Sequence, residues 1–225
     1  METQINNWSN ETDYTQLQAL IRTHEELSID SAAITQRQRK QDENASLIAG
    51  LWGLVNNAGI SIPLGPNEWM NKEDFAKILD MNLLGMIKVT LSMLPLVRKA
   101  KGRVVNISSV LGQVSLFDGG YCTSKYDGEA FSDSLRRELS YFGVKVAIVE
   151  PGFFQTGLKL LDKMCKEDLS LVTDCVEHVL TSCHSQTRFS AGWDAKLFFI
   201  PVSYLPISLE DAMFYRTSPK PDKAL

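Results

Sequence analysis

The chain has 225 residues, 44% of them hydrophobic and 22% charged, with a formal net charge of −4. That length and balance suit one ordinary globular domain, or one with a weakly packed appendage, and the acidic balance offers no basic footprint for nucleic acid. The four cysteines (Cys122, Cys165, Cys175, Cys183) form no CxxC pair and no small secreted framework, which points to a reducing compartment.

The first 50 residues are polar, rich in Gln, Asn, Thr and Glu, with one weak amphipathic segment at Leu17, Leu20, Ile21 and Leu27. The stretch "LSID", Leu27 to Asp30, reads either as a short strand, with Ser31 capping a helix after it, or as part of a partly disordered segment. From Leu51 the pattern becomes regular. "LWGLVN" is a short apolar run of the kind found in strands buried on both faces. A helical stretch follows from Asn71, as one helix or two with a bend, and stops at Gly102. "RVVNIS" reads as a second buried strand and "YCTSKYDGEAFSDSLRRELSYFG" as a helix ended by Gly143. "VKVAIVEPG" is a third strand, broken by Pro151 and Gly152. "KEDLSLVTDCVEHVLTSC" is a further helix and "AKLFFIP" a fourth strand. Strands alternating with helices predict a parallel sheet with helices on both faces, and such sheets bind ligands beyond the carboxyl ends of their strands.

Three features carry little function. Cys175, His178, Cys183 and His184 lie close in sequence but match no structural zinc spacing, so they read as packing and surface residues of one helix, and no metal site is assigned. Asn7, Asn10, Asn44 and Asn106 head N-x-S/T sequons, and without a signal peptide these read as chance. The nearest approach to a membrane span is "LFFIPVSYLPISL", Leu197 to Leu209, which is too short and carries Pro201 and Pro206. It reads as a buried strand and a loop, with shallow attachment to a membrane surface left open.

The informative residues gather at the predicted carboxyl ends. The first strand ends in Asn56-Asn57-Ala58-Gly59, the second in Ser108-Ser109, and the third in Pro151-Gly152, with Thr156 shortly after. Near the start of the helix between the second and third strands, Tyr121 and Lys125 are spaced to share one face. A phenol of pKa about 10 is a poor acid or base at neutral pH, and a nearby ammonium is expected to lower it into a useful range. Ser109 could donate to the same substrate oxygen. Asn82, in the apolar run "ILDMNLLGMI", is a buried amide in need of partners and could anchor a water chain to the lysine. Each has a plain alternative: NNAG as a tight turn, Ser-Ser as a cap, YxxxK as chance, Asn82 as a bend beside Gly85. Their order and spacing together favour a site.

With "NNAG", "MNLLG", "VVNISSVLG", "YCTSK" and "EPGFFQT" in that order, the sequence resembles the short-chain dehydrogenase/reductase family. "LPLVRKAKGRVVNISS", "EAFSDSLRRELSYFGVKVAIVEPGFF" and "AGWDAK" look closest to its retinol dehydrogenase and 3α/17β-hydroxysteroid dehydrogenase branch. The resemblance implies a doubly wound, Rossmann-like sheet and hydride exchange between an alcohol carbon and a nicotinamide cofactor, NAD with NADP not excluded. It implies Tyr121 as general acid/base, and Lys125 as the residue that lowers its pKa and binds the nicotinamide ribose. Ser109 would polarise the substrate oxygen and Asn82 would hold the relay water. Asn57, Ala58 and Gly59 would line the adenosine side, and Pro151, Gly152 and Thr156 would border the nicotinamide. The implied partner is a small lipophilic alcohol or ketone, a retinoid or steroid. Peripheral membrane contact and a homodimer stay open. The family places such proteins at the endoplasmic reticulum membrane surface, against a cytoplasmic location if the branch's absent N-terminal anchor decides.

Three departures qualify this. No glycine precedes Gly50, so the TGxxxGxG turn that cradles the pyrophosphate has no counterpart; the residue after the second strand that selects NAD or NADP is also unmatched, and Asp30 could at most imitate an acidic residue after the third strand. Residues 1–50 therefore read as a divergent polar segment, and 51–225 as an incomplete dehydrogenase domain lacking its first strands. The strand at Leu51 to Val55 would then become a sheet edge. After Thr156 the chain runs from "QTGLK" almost directly to "LLDKMCKEDLSL", shortening the family's substrate lid. Asp127-Gly128 stands where relatives tend to have a glycine and a small or β-branched residue. The competing reading is a catalytically silent truncated homologue acting through protein contacts.

Overall fold

The structure is a computed structural model that describes residues 50–61, 66–116, 118–154, 168–184 and 186–215. All of them lie in the compact unit Ala49–Leu225. The readings of residues 1–49, of Thr156 and of the shortened segment after it fall outside the described residues.

Four strands, β1 (Gly53–Asn56), β2 (Arg103–Ile107), β3 (Lys145–Pro151) and β4 (Arg188–Ala191), form one sheet in the order β1-β2-β3-β4. Every pairing is parallel, with Asn56 beside Asn106, Ile107 beside Val149, and Pro151 beside Ala191. The carboxyl ends therefore lie on one side, as the alternation of strand and helix predicts. Among the described residues β1 pairs with β2 alone, so it is a sheet edge there, with Trp52 and Val55 exposed.

The helices are α1 (Lys72–Leu79), α2 (Met86–Ala100), α3 (Gly119–Ser140), α4 (Ser170–Thr181), α5 (Ile200–Val202) and α6 (Ile207–Tyr215). Alternate residues of the central strands point to opposite faces, which is the period-two rule of a strand buried on both sides. Val104 and Val146 join Val97 of α2 and Leu135 and Leu139 of α3 on one face. Val105, Ala147 and Val149 join Val179 of α4 on the other. Each such buried valine contributes on the order of 1.5–3 kcal/mol through area removed from water.

Local chemistry sets the helix limits. Asn71 opens α1 with a reciprocal capping box: its side chain accepts from the Asp74 N–H at 2.9 Å, and Asp74 accepts from the Asn71 N–H at 3.0 Å. Between α1 and α2 the bend foreseen near Gly85 is a π-helical turn, Asp80–Gly85, with Asn82 buried at its centre. Lys101, in the left-handed region at φ 48°, closes α2. Gly143 turns the chain from α3 into β3 at φ 73°.

The fourth strand is a correction. "AKLFFIP" is helical: a π-helical turn, Ala195–Phe199, runs into α5. Ala195 and Phe199, four apart, are buried against Val110, Leu111 and Cys122, while Leu197 points to solvent. A short apolar run cannot be told from a helix by hydrophobicity alone, and here the burial has a helical period. The strand is instead "RFSA", Arg188–Ala191, which ends at Gly192 with φ 103°. The membrane reading also shifts. The continuous helical run Lys72–Ala100 is, by length and composition, long and apolar enough to cross a membrane, whereas Leu197 to Leu209 is divided between the turn, α5 and α6. Part of that longer run packs on the sheet through Met93, Leu94 and Val97.

Candidate active site

Asn82 is 5% exposed and fully engaged. Its Oδ1 accepts from the Ile60 N–H at 2.7 Å, and its Nδ2 donates to the Ile60 carbonyl at 2.8 Å and to Ser124 Oγ at 2.9 Å. One amide thus ties the turn after β1 to α3. Gly59 shows how close the approach is: a Cβ there would lie 3.3 Å from Asn82 Oδ1 and 3.7 Å from Lys125 Nζ. Asn57, Ala58 and Gly59 form an exposed shelf over this contact. Asn56 faces inward instead, donating to Thr90 Oγ1 at 2.9 Å and Asn106 Oδ1 at 2.7 Å. Asn106 is buried and donates to Ser132 Oγ at 2.8 Å, so its sequon is closed to modification.

Ser109 ends the loop after β2. Its Oγ accepts from the Leu111 N–H at 3.2 Å, capping the short 3-10 turn Val110–Gly112, and it hydrogen-bonds the Tyr121 phenol. Lys125, one turn beyond Tyr121 on α3, is 8% exposed and donates to the Ile107 carbonyl at 2.9 Å. Its Nζ lies 5.4 Å from the Tyr121 ring centroid. The structure therefore brings Asn82, Ser109, Tyr121 and Lys125 together around the ends of β1 and β2. Pro151 and Gly152 close the far side. A Cβ on Gly152 would fall 2.2 Å from Asp194 Oδ2, which also accepts from the Phe153 N–H at 2.8 Å.

The electrostatics differ from the sequence argument. Burial pushes the Tyr121 phenol up to about 12, aided by Cys122 and Asp118 and opposed by the Ser109 hydrogen bond. The lowering expected from lysine does not appear among these influences, and desolvation leads them, so the phenol keeps its proton through neutral pH. Burial also pulls Lys125 down to about 8, against the charge of Glu129. Asp127 is exposed, as its place two residues beyond Lys125 implies, and Gly128 packs against Met86.

Sequence reasoning missed Asp194, Glu129, Glu150 and Arg188. A signal existed for two of them. Glu150 interrupts the apolar strand "VAIVEP", where a buried acid demands a partner, and Glu129 stands four residues after Lys125. Asp118 was missed as well. It begins α3 with φ 62°, is 1% exposed, and its Oδ2 has no hydrogen-bond partner among the described residues. The Cys175 and His178 pair is packing: Cys175 lies against the core on the α4 face, and the His178 ring meets Phe189 edge-on at 5.6 Å.

A parallel doubly wound sheet with a Tyr-Lys pair and a serine at its carboxyl ends is the architecture of a nicotinamide-dependent oxidoreductase. The short chain dehydrogenase family model matches residues 4–163, reaching into the N-terminal segment that the sequence reading set apart. Retinol dehydrogenase 16 from Mus musculus is 63% identical over 213 positions, taking in 78% of this chain and 67% of that protein. The human (Homo sapiens) 17-beta-hydroxysteroid dehydrogenase type 6 is 52% identical with the same coverage. A short-chain dehydrogenase from Streptomyces avermitilis shares the fold, with a TM-score of 0.68, 24% identity, and coverage of 83% of this chain and 76% of that one. The chain belongs to the short-chain dehydrogenase family of NAD(P)-dependent oxidoreductases, within its retinol and hydroxysteroid dehydrogenase branch.

Asp118 carries a testable cost. The left-handed backbone and the orphan buried oxygen each cost about 1–3 kcal/mol. Burial holds its carboxyl up at about 7 against an ordinary 3.8. Between those values the folded chain keeps a proton that the unfolded chain has lost, so stability falls as pH rises from about 4 to 7. Asp118→Gly removes both costs and gives up only the long cap contact in which Asp118 Oδ1 accepts from the Tyr121 N–H at 3.5 Å, a loss on the order of a few tenths of a kcal/mol. Its melting temperature should exceed wild type by about 2–4 °C per kcal/mol recovered, more at pH 8 than at pH 5. An equal gain at both values, or none, contradicts this account.

Proposed function

We propose that this chain transfers hydride between a nicotinamide dinucleotide and a small lipophilic alcohol or ketone, a retinoid or hydroxysteroid. The observation that carries this reading is the convergence of Ser109, Tyr121, Lys125 and Asn82 on one side of the sheet. The names of the retinol and 17-beta-hydroxysteroid dehydrogenase relatives support the substrate class.

The residues fit half of such a cofactor. The Asn57-Ala58-Gly59 shelf leaves backbone flush with the cleft, and Gly152 sits where any side chain would collide with Asp194. Lys125 would hold the nicotinamide ribose, and Pro151 and Gly152 would flank the nicotinamide. Residues 1–49 contain no glycine, so their sequence offers no counterpart of the glycine-rich turn for the phosphates. NAD is the favoured form, with NADP as its competitor.

Bound there, the nicotinamide supplies or accepts the hydride. Ser109 and Tyr121, already hydrogen-bonded to each other, would share the substrate oxygen. With its proton held to about pH 12, Tyr121 is poised as an acid, giving that proton to a carbonyl oxygen as the carbon is reduced. Lys125 would place a positive charge beside the phenolate left behind. Asn82 would keep the turn after β1 and the helix bearing Tyr121 at a fixed separation.

Attachment at the endoplasmic reticulum membrane surface completes the proposal. The support is a run of exposed apolar side chains near the end of the described chain: Leu197, Tyr204, Ile207 and Leu209.

Three measurements check this. Tyr121→Phe should cut turnover of a retinal or steroid ketone with NADH by at least about 10²-fold while largely sparing cofactor binding; unchanged turnover refutes its role. Reductive turnover should decline above about pH 8, because the Lys125 ammonium loses its proton as pH rises through that value. A profile flat to pH 9.5 would contradict the role given to the lysine charge. In flotation with phospholipid vesicles the chain should rise with the lipid, and complete retention in the aqueous fraction removes the membrane part of the proposal.

A further inference from the structure

Beneath the site lies a buried charge cluster that none of these roles uses. Glu129, four residues beyond Lys125, shares its face of α3 and is 4% exposed. Ser108 Oγ donates to Glu129 Oε1 at 2.6 Å, and Lys125 Nζ donates to the Ile107 carbonyl at 2.9 Å. The two side chains thus end on consecutive residues at the carboxyl end of β2. The other Glu129 oxygen accepts from Arg188 of β4 and from Gln113. Arg188 also pairs with Glu150 at 2.6 Å and Asp133 at 3.2 Å, and Arg136 reaches Asp133 at 3.3 Å. Three carboxylates (Glu129, Glu150, Asp133) therefore face two guanidinium groups, and Lys125 is a further cation that feels the charge of Glu129. A Cβ on Gly112 would lie 2.4 Å from Glu129 Oε1, so the turn that carries Ser109 rests directly on this carboxylate.

We propose that Glu129 is a positioning residue acting through Lys125: held by Ser108 and Arg188, it supplies the negative charge that keeps the lysine an ammonium at the base of the site. This rests on the proton-transfer reading of Tyr121 and Lys125. Lys125 is pulled down by burial, and Glu129 pushes it back up. Glu129 itself is held at about 7 by burial and by Glu150, against the pull of Ser108 and Arg188. The charged and titratable groups around the pair are Tyr121, Tyr126 and Asp133 from α3, Glu150 from β3 and Arg188 from β4. Because Glu129 gains its charge only near pH 7, its influence on the lysine grows above that value.

The test uses the full chain grown with lysine labelled with carbon-13 at Cε, the Lys125 signal being assigned by its loss in Lys125→Arg. The wild-type signal should titrate near pH 8. Glu129→Gln should move that midpoint down by roughly one pH unit, and Glu129→Asp should restore most of it. Ser108→Ala, a milder change that weakens the hold on the carboxylate, should move it the same way by less, and serves if the Gln variant does not fold. Where turnover is measured, Glu129→Gln should lose more activity at pH 8.5 than at pH 6. A purely structural Glu129 would lower the melting temperature and leave the Lys125 midpoint in place, and that result overturns the proposal. A midpoint that moves while Tyr121→Phe retains full turnover would keep the coupling and sink the proton-transfer reading instead.

Discussion

The hydrogen bond from Lys125 to the Ile107 carbonyl is the contact on which the site depends. It joins the helix that carries Tyr121 to the strand end that carries Ser109. The bond forms because α3 packs on the face of a parallel sheet with its lysine at the end of β2, and at 8% exposure the ammonium must find most of its partners inside. A carbonyl supplies one of them and the charge of Glu129 compensates at longer range. The same burial that requires these partners raises the neighbouring phenol, so the ground-state proton sits on tyrosine.

Much of this was legible in the sequence. The β1, β2 and β3 runs are apolar, short and separated by helical stretches, and that pattern has few parallel-sheet alternatives. Asn82 was legible because an amide inside "ILDMNLLGMI" must be satisfied, and the structure satisfies it three times over. "RFSA" was not legible. Its polar-apolar alternation spans only four residues, too few to stand out as a strand signal, and it pairs in register with β3. "AKLFFIP" misled for the opposite reason, since its hydrophobicity serves a helical face packed under Val110 and Leu111. The charge cluster was half legible. Glu150 signalled a buried partner, but the partner, Arg188, is 38 residues away in sequence and only the fold introduces them.

The reading of Tyr121 was corrected for a related cause. Proximity to lysine on one helix face was visible, whereas the desolvation of the phenol was not, and desolvation is the leading influence on it. The departures from the family bear unevenly on function. The residues proposed for proton transfer and for the nicotinamide side of the cleft are gathered on one sheet end, while the part of the chain proposed to meet the phosphates carries no glycine. Family membership supports an NAD(P)-dependent oxidoreductase, and the proposal is that its cofactor grip leans on Lys125, Gly152 and the shelf at Asn57 to Gly59.

That grip is the central claim, and cofactor binding tests it most directly. Titration of the purified chain with NADH and with NADPH, following energy transfer from its four tryptophans to the nicotinamide, reads it out. A saturable signal is expected for at least one of the two, weakened in Lys125→Met. No saturable signal from either, up to millimolar cofactor, would contradict it.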